Sequence, residues 1–373
     1  MQVDWTEAAK KIQGQPKIGW LFLISLVLVL IGLVFIYSSS SVFALESHGS
    51  AAYFVYRQLW GVGLGIGGLI LAWLTPTELL RKSSPYLFLV SLIGTACTLV
   101  PGLAVHMHGS SRWLRLPGLS LQPSEFLKLA LIIYVAYLLD QKKFQRYSFW
   151  GSFVPLALVF GLSAGVLLLQ PDFGLTVVLC LTIFAMLLIA RFSGEYLLGA
   201  ILLLLPAAGW LIWMKPYRLK RILVFLDPWK DPQGAGFQII QSLIAVGSGG
   251  WWGLGIGGSR QKFFYLPMQH TDFIFAIIAE EVGFIGASAL VLLYLAWLYC
   301  GMKLAWQMPD LFTTYLTLGF VILISLQALI NLCVVTGLFP TKGVGLPFVS
   351  YGCSGLISNL SMLGVIGRAT RQP

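Results

Sequence analysis

Charged side chains are scarce in this chain of 373 residues: Asp, Glu, Lys and Arg together make up 10%, against 58% hydrophobic. A soluble domain could not cover its surface with so few polar groups, so a water-soluble globule is excluded. The mean hydropathy of +0.85 points to a polytopic membrane protein. Cysteine is rarer still. Cys97, Cys180, Cys300 and Cys333 lie in or beside apolar runs, and Cys353 lies in a Gly/Ser segment. No two have metal-ligand spacing and none sits in the long polar segment as a disulfide partner, so all five read as small apolar fillers. The apolar runs do not alternate with polar residues, which excludes a transmembrane barrel. Internal repeats, low-complexity linkers and a soluble appendage are also missing. The net charge of +10 comes without the basic stripe and interleaved aromatics that nucleic acid would need. "GLGIGG" at 253–258 matches the dinucleotide fingerprint in form, but it lacks the preceding strand and the later acidic residue of a βαβ unit. It reads as flexible loop backbone.

What the chain does have is long apolar runs. Crossing a hydrocarbon core of about 30 Å takes roughly 20 apolar residues as helix. Runs near that length fall at 18–37, 55–75, 85–103, 123–139, 152–169, 173–189, 196–214, 273–299, 311–338 and 347–366. The expected fold is therefore all-α, with ten transmembrane helices and a large extracytoplasmic loop between the seventh and eighth. Residues 1–373 form one membrane domain, with 1–17 as a cytoplasmic N-terminal segment and 215–272 as the loop. The first seventeen residues are too polar for a signal peptide, so the first run is expected to stay as an uncleaved anchor. Lys and Arg in the short loops favour placing both termini in the cytoplasm, because the opposite side gathers most of its basic residues in one long segment. Glycines four apart in "GVGLGIGG", residues 61–68, read as a close helix-packing face.

Four segments then fall on the outer side: 101–122, 169–174, 215–271 and 337–355. Ionisable groups inside spans cost at least about 2.5 kcal/mol each on insertion scales, so each such group calls for a reason. Glu125 and Lys128 are three apart and suit an ion pair on one helix face, structural or functional. Asp172 in "QPDFG" suits a helix N-cap or a site. Glu280 and Glu281 lie about 12 Å into the eighth run and are read as buried support, paired with Lys128 from a neighbouring helix. Asp272 in "HTDF" stands one residue before that run. It suits a cap, a cation ligand or a base. Lys215, Arg218, Lys220 and Arg221 in "KPYRLKR", with Arg260 and Lys262 in "SRQKF", form a cationic rim suited to a pyrophosphate or a phospholipid headgroup.

The stretch from Phe225 to Gly286, with "SSRWLRLPGLSLQPSEFLKLAL", "LQPDFG" and "FPTKGVGLPFVSYG" in order, resembles the SEDS family of bacterial shape, elongation, division and sporulation proteins. The similarity extends through essentially all ten runs. "PTKG" at 340–343 resembles the division branch more than the elongation branch. The resemblance implies a peptidoglycan glycosyltransferase that polymerises lipid II, the undecaprenyl-pyrophosphate disaccharide pentapeptide, into β-1,4 glycan on the outer face of the bacterial cytoplasmic membrane. It implies work alongside a class B penicillin-binding protein and other division membrane proteins. The family's essential carboxylate matches Asp272, as general base or as orienter of a divalent cation, magnesium or manganese. Arg218, Arg221, Arg260 and Lys262 become candidates to hold the pyrophosphates, with His270, Arg112, Lys342 and Ser350 as further substrate contacts. Glu125, Lys128, Glu281 and Asp172 become support. Two departures stand out: Met268 and Gln269 where the family has an acidic residue, and Cys353 and Gly355 in "SYGCSG", expected to loosen the hydrogen bonding around Ser350 and Ser354. A lipid-precursor flippase and a non-catalytic division scaffold are the rival readings.

Overall fold

The computed structural model describes residues 18–107, 110–116, 119–141, 148–214, 216–234, 236–263, 266–267, 269–341 and 343–371. Lys342, Met268 and Lys215 lie outside the described residues. The chain is mostly helical: α1 Gly19–His48, α2 Tyr53–Leu74, α3 Thr77–Cys97, α4 Pro123–Asp140, α5 Val154–Leu169, α6 Phe173–Ile189, α7 Gly194–Trp213, α8 Pro216–Leu226, α9 Phe237–Ser248, α10 Ile274–Ala305, α11 Leu311–Val335 and α12 Cys353–Ala369. Among the described residues, six helical segments are long and apolar enough to cross a membrane: α1, α2, Phe149–Leu169 containing α5, α7, α10 and α11. The other apolar runs also form helices but fall short on that measure. α3 and α4 carry three charged side chains each, and α6 and α12 have 17 residues each.

Two expectations need correcting. The fold is mostly helical and not all-α, because the segment 101–122 holds a three-stranded antiparallel sheet, β1 Ala104–Met107, β2 Ser110–Leu116 and β3 Leu119–Leu121, in the order β1-β2-β3. Its alternating short-range pairing was hidden among Gly, Pro and basic residues. The segment 215–272 likewise contains α8 and α9.

The core lies around α11 and α4, whose buried residues run around most of their circumference. α7 is the opposite case, with Leu197 alone buried, as a helix facing hydrocarbon allows. The 61–68 glycines do pack closely. A Cβ on Gly65 would approach Leu360 Cδ1 at 2.5 Å, and one on Gly68 would approach Ser361 Oγ at 2.6 Å, so α2 and α12 touch along a seam of small residues. Cys353 fills the end of that seam against Gly61, and its thiol donates to Arg57 O at 3.2 Å. All five cysteines are free.

α10 is broken at Gly283, which takes φ 66° and ψ −170°. In an unbroken helix the N–H groups of Phe284 and Ile285 would bond the carbonyls of Glu280 and Glu281. Here they bond Gly250 O at 2.8 Å and Trp251 O at 3.3 Å. The carbonyls they leave are taken by Leu254 N–H and Gly255 N–H, each at 3.0 Å. The loop is thus spliced into the helix ladder, and these four displaced backbone groups are satisfied. Gly253 and Gly283 make this crossing possible, since a Cβ on either would strike the other strand's backbone and both have positive φ. "GLGIGG" is therefore docked backbone, not flexible loop.

Candidate functional site

The splice explains the carboxylates of the eighth run. Glu281 accepts from Ser38 Oγ of α1 at 2.6 and 2.8 Å and from Ser259 N–H at 3.4 Å, with Lys262 Nζ at 4.0 Å. Glu280 accepts from the Ser259 hydroxyl and from Arg260 N–H at 3.0 Å. The Lys262 ammonium also donates to Gly257 O. Both carboxylates are 1% exposed and almost fully bonded, so they hold the loop to the helix. Their expected partner was Lys128, and that pairing is not what forms. Lys128 bonds Glu125 on its own helix at 2.6 Å, Gln327 Oε1 at 3.2 Å and Asn359 Oδ1 at 3.3 Å. An i,i+3 partner and two amides satisfy a buried ammonium that has three donors.

Asp272 is arranged differently. The helix begins after it, with Phe273 at the N-cap position and no side-chain capping bond, so capping does not consume its carboxylate. Its backbone is held firmly. Asn331 Nδ2 donates to Asp272 O at 2.7 Å and to Val344 O at 2.8 Å, tying α11 to both. Ser350 Oγ donates to Thr271 O at 2.5 Å and accepts from Leu346 N–H at 2.7 Å, while Tyr351 N–H bonds His270 O at 3.0 Å. Ser350 therefore has its hydroxyl committed to the scaffold as both donor and acceptor. Ser354 likewise accepts from Gln122 N–H at 3.0 Å.

Gly343 lets two charged groups converge. A Cβ there would stand 3.4 Å from Asp272 Oδ2 and 3.7 Å from Arg112 Nη1. Arg112, on β2, also clamps the turn before α6: Nη2 donates to Pro171 O at 2.6 Å, Nε to Gln170 O at 3.4 Å, and Nη1 lies 3.7 Å from Asp172 Oδ2. Asp172 caps α6 by accepting from Leu175 N–H at 3.2 Å, so it serves as cap and as neighbour of Arg112 together. Burial pushes the Asp172 carboxyl above the usual range, against the pull of Arg112 and the Leu175 bond. Burial likewise raises the enclosed Asp272 carboxyl to about 6; Arg112 and Arg221 oppose the rise and Asp172 adds to it.

Arg221 on α8 donates to Thr341 O at 3.1 Å and lines a cavity of about 370 Å³ with Lys220, Gln233, Phe237, Gln238 and Thr341. Lys220 pairs with Asp231 at 2.8 Å. Arg218 donates to Leu211 O at 3.0 Å and lies 5.5 Å from the centroid of Phe173, next to Asp172. All four interhelical segments thus meet here. Two further members of the cationic rim are elsewhere: Lys262 is internal to the splice, and the Arg260 side chain is exposed beside it. The His270 ring packs among Phe54 (4.6 Å), Tyr351 (5.6 Å) and Phe43 (6.0 Å), and burial lowers its pKa to about 4, so it is a neutral aromatic neighbour. Asn331 and Gly343 were missed by sequence reasoning. A lone amide within an apolar run was the signal for the first; a glycine's role as a gap between two charges leaves no such trace.

Helices of membrane-crossing length and a carboxylate–guanidinium cluster built from four interhelical segments define a multi-pass membrane protein with a polar cluster between its helices. The FTSW_RODA_SPOVE family of cell cycle proteins matches residues 19–373, and the chain belongs to that family. It is 41% identical over 346 residues to the probable peptidoglycan glycosyltransferase FtsW of Trichlorobacter lovleyi, covering 93% of this chain and 91% of that one. It is 40% identical over 356 residues to stage V sporulation protein E of Bacillus subtilis, covering 94% and 96%. The fold matches a structure titled "Structural coordination of polymerization and crosslinking by a peptidoglycan synthase complex" with TM-score 0.78 at 31% identity, covering 94% and 96% of the two chains. It matches the rod shape determining protein RodA of Thermus thermophilus with TM-score 0.70 at 27% identity, covering 94% and 95%.

Proposed function

We propose that this chain is a peptidoglycan glycosyltransferase that polymerises lipid II into β-1,4 glycan strands on the outer face of the cytoplasmic membrane. The observation that carries the reading is the uncapped Asp272 carboxylate, raised to about 6, facing Arg112 across Gly343 and influenced by Arg221 of the neighbouring cavity. A carboxylate that titrates just below neutrality is ionised at working pH and still basic enough to take a proton in a transition state. Asp272 accepts the proton of the acceptor sugar's 4-hydroxyl as its oxygen attacks the donor's anomeric carbon. The bond to pyrophosphate breaks from the opposite face, and the α-linked donor becomes a β product. Arg221, Lys220 and Arg218 meet the charge that grows on the leaving pyrophosphate, where guanidinium bidentate bonding is strongest. Arg112 holds Asp272 and Asp172 in register.

The donor set does not suit a resident magnesium or manganese ion. The Arg112 guanidinium beside Asp272 and Asp172 offsets the negative charge that would draw a cation, and among the described residues no three His, Cys, Asp or Glu side chains converge.

In this reading α3, α4, α6 and α12 complete ten spans, both termini are cytoplasmic, and 215–272 is the large extracytoplasmic segment of a single domain. The setting is the bacterial inner membrane during division, and the partner is a class B penicillin-binding protein. The likeness to a peptidoglycan synthase complex supports that pairing. The test is polymerisation of labelled lipid II by the purified chain with its transpeptidase. Wild type is expected to give glycan strands and Asp272→Ala none. Equal polymer from both, or lipid II flipping without polymer, defeats the assignment in favour of scaffold or flippase.

A further inference from the structure

The spliced loop carries a set of large apolar side chains that the reaction does not use. Trp252 is 82% exposed and Ile256 70%, and Trp251 beside them is also exposed. Loops seldom hold such groups outward on rigid backbone unless something apolar covers them. The loop's level is set by the splice, because residues 250–255 exchange backbone bonds with 280–285 of α10. Below the break, residues 284–305 give about 33 Å of helix at about 1.5 Å per residue, close to the roughly 30 Å of a hydrocarbon core. Gly283 therefore falls at the edge of the bilayer. The first residues of that span, Phe284 and Ile285, are exposed as lipid-facing residues would be, and the Phe284 ring meets Trp251 edge-on at 5.2 Å. The loop's apolar surface is continuous with the lipid-facing surface of the helix.

We propose that residues 250–256 are an interfacial membrane anchor, with Trp251, Trp252 and Ile256 seated among the headgroups and upper acyl chains on the Asp272 side of the bilayer. Tryptophan is the residue suited to that layer, having an apolar body and one N–H donor. The exposed Arg260 follows at headgroup level. Four inter-segment backbone bonds tie the anchor to α10, and the half-helix 274–282 leads from it to Asp272. The anchor thus sets the height of the carboxylate above the lipid surface by at most about 15 Å of helix. The assignment depends on the 284–305 span and not on the reaction assigned to Asp272.

The test uses the full chain in phosphatidylcholine vesicles, with and without bromine on the acyl chains. Subtracting the emission of Trp252→Phe from that of wild type isolates Trp252. Brominated lipid is expected to lower that component about twofold or more, with aqueous iodide leaving it nearly unchanged, as for an interfacial indole. Ile256→Trp, placed on an exposed position, is expected to add a second component with the same response. Iodide quenching without bromolipid quenching overturns the proposal by placing the loop in water. Shielding from both quenchers also overturns it, because the loop would then be covered by protein.

Discussion

Asp272 and Glu281 belong to one short stretch of chain, yet their surroundings differ in kind. Glu281 shares its oxygens among Ser38, Ser259 and the neighbouring Lys262, and Glu280 is bonded by the same loop. Every one of these partners is part of the protein, so the charge is spent on holding a loop in a broken helix. The Asp272 backbone is equally well held, but its carboxylate lies across Gly343 from Arg112 and feels the charge of Arg221, without capping the helix behind it. A buried carboxylate satisfied at every oxygen is structural; one whose backbone is pinned while its oxygens stay available is suited to chemistry. Exposure follows the same division, with Glu281 1% exposed and Asp272 only partly buried.

Substitution should separate them most sharply at Asp272. Asp272→Asn is expected to lower lipid II polymerisation by about 10²-fold or more, the range for losing a positioned general base. Stability should move the other way. With its pKa raised in the fold, ionised Asp272 opposes folding, and the penalty is present above about 6 and relieved as pH falls through that value. Asp272→Asn is therefore expected to melt at or above the wild-type temperature at pH 7 to 8, with the difference closing in acid. A large loss of thermal stability in detergent would place Asp272 with the structural carboxylates instead.

Glu281→Ala should show the reverse pattern. It strips Ser38 of its acceptor and leaves the buried Lys262 ammonium without its nearby carboxylate, so a loss of about 3 kcal/mol is expected. Polymerisation per folded molecule should fall far less than for Asp272→Asn. Next in size comes Gly283→Ala, expected to destabilise by about 2 kcal/mol. It forces a side chain into a positive φ and against the Gly253 backbone. Thermal melts read this change, and faster exchange of the Leu254 and Gly255 amides would locate it at the splice.

The smallest effect sharpens the comparison from the electrostatic side. The rate of polymerisation is expected to rise with pH through about 6 as Asp272 ionises. Arg112 favours the ionised form, so Arg112→Gln should move that limb to higher pH. A limb that stays in place would remove Arg112 from the neighbourhood of the reacting carboxylate.

Much of this was legible in the residues. The apolar runs became helices, the 61–68 glycines became the α2–α12 seam, Glu125 paired with Lys128, and Asp172 capped α6. Each depends on neighbours within a few positions or on one helix face, where spacing alone carries the information. Asp272 stands at the mouth of a run, where the residues alone left a cap, a cation ligand and a base open. The partners of Glu280 and Glu281 were misjudged, because the true ones are loop residues about twenty positions upstream and Ser38, 243 positions away. The sheet in 101–122 and the helices in 215–272 were also missed, since Gly, Pro and basic residues obscure the period there.

By itself, the sequence determined that this chain lives in a membrane, that its long apolar runs form helices, and that a carboxylate stands at the mouth of one of them. Tertiary structure alone decided that α10 is interrupted at Gly283, that Lys262 serves the splice while Arg221 serves the cavity, and that Asp272 meets Arg112 across Gly343. The reason is physical. Hydrophobic runs act on the solvent around them and can be read one segment at a time, whereas a charge is defined by its partner, and partners are chosen in space.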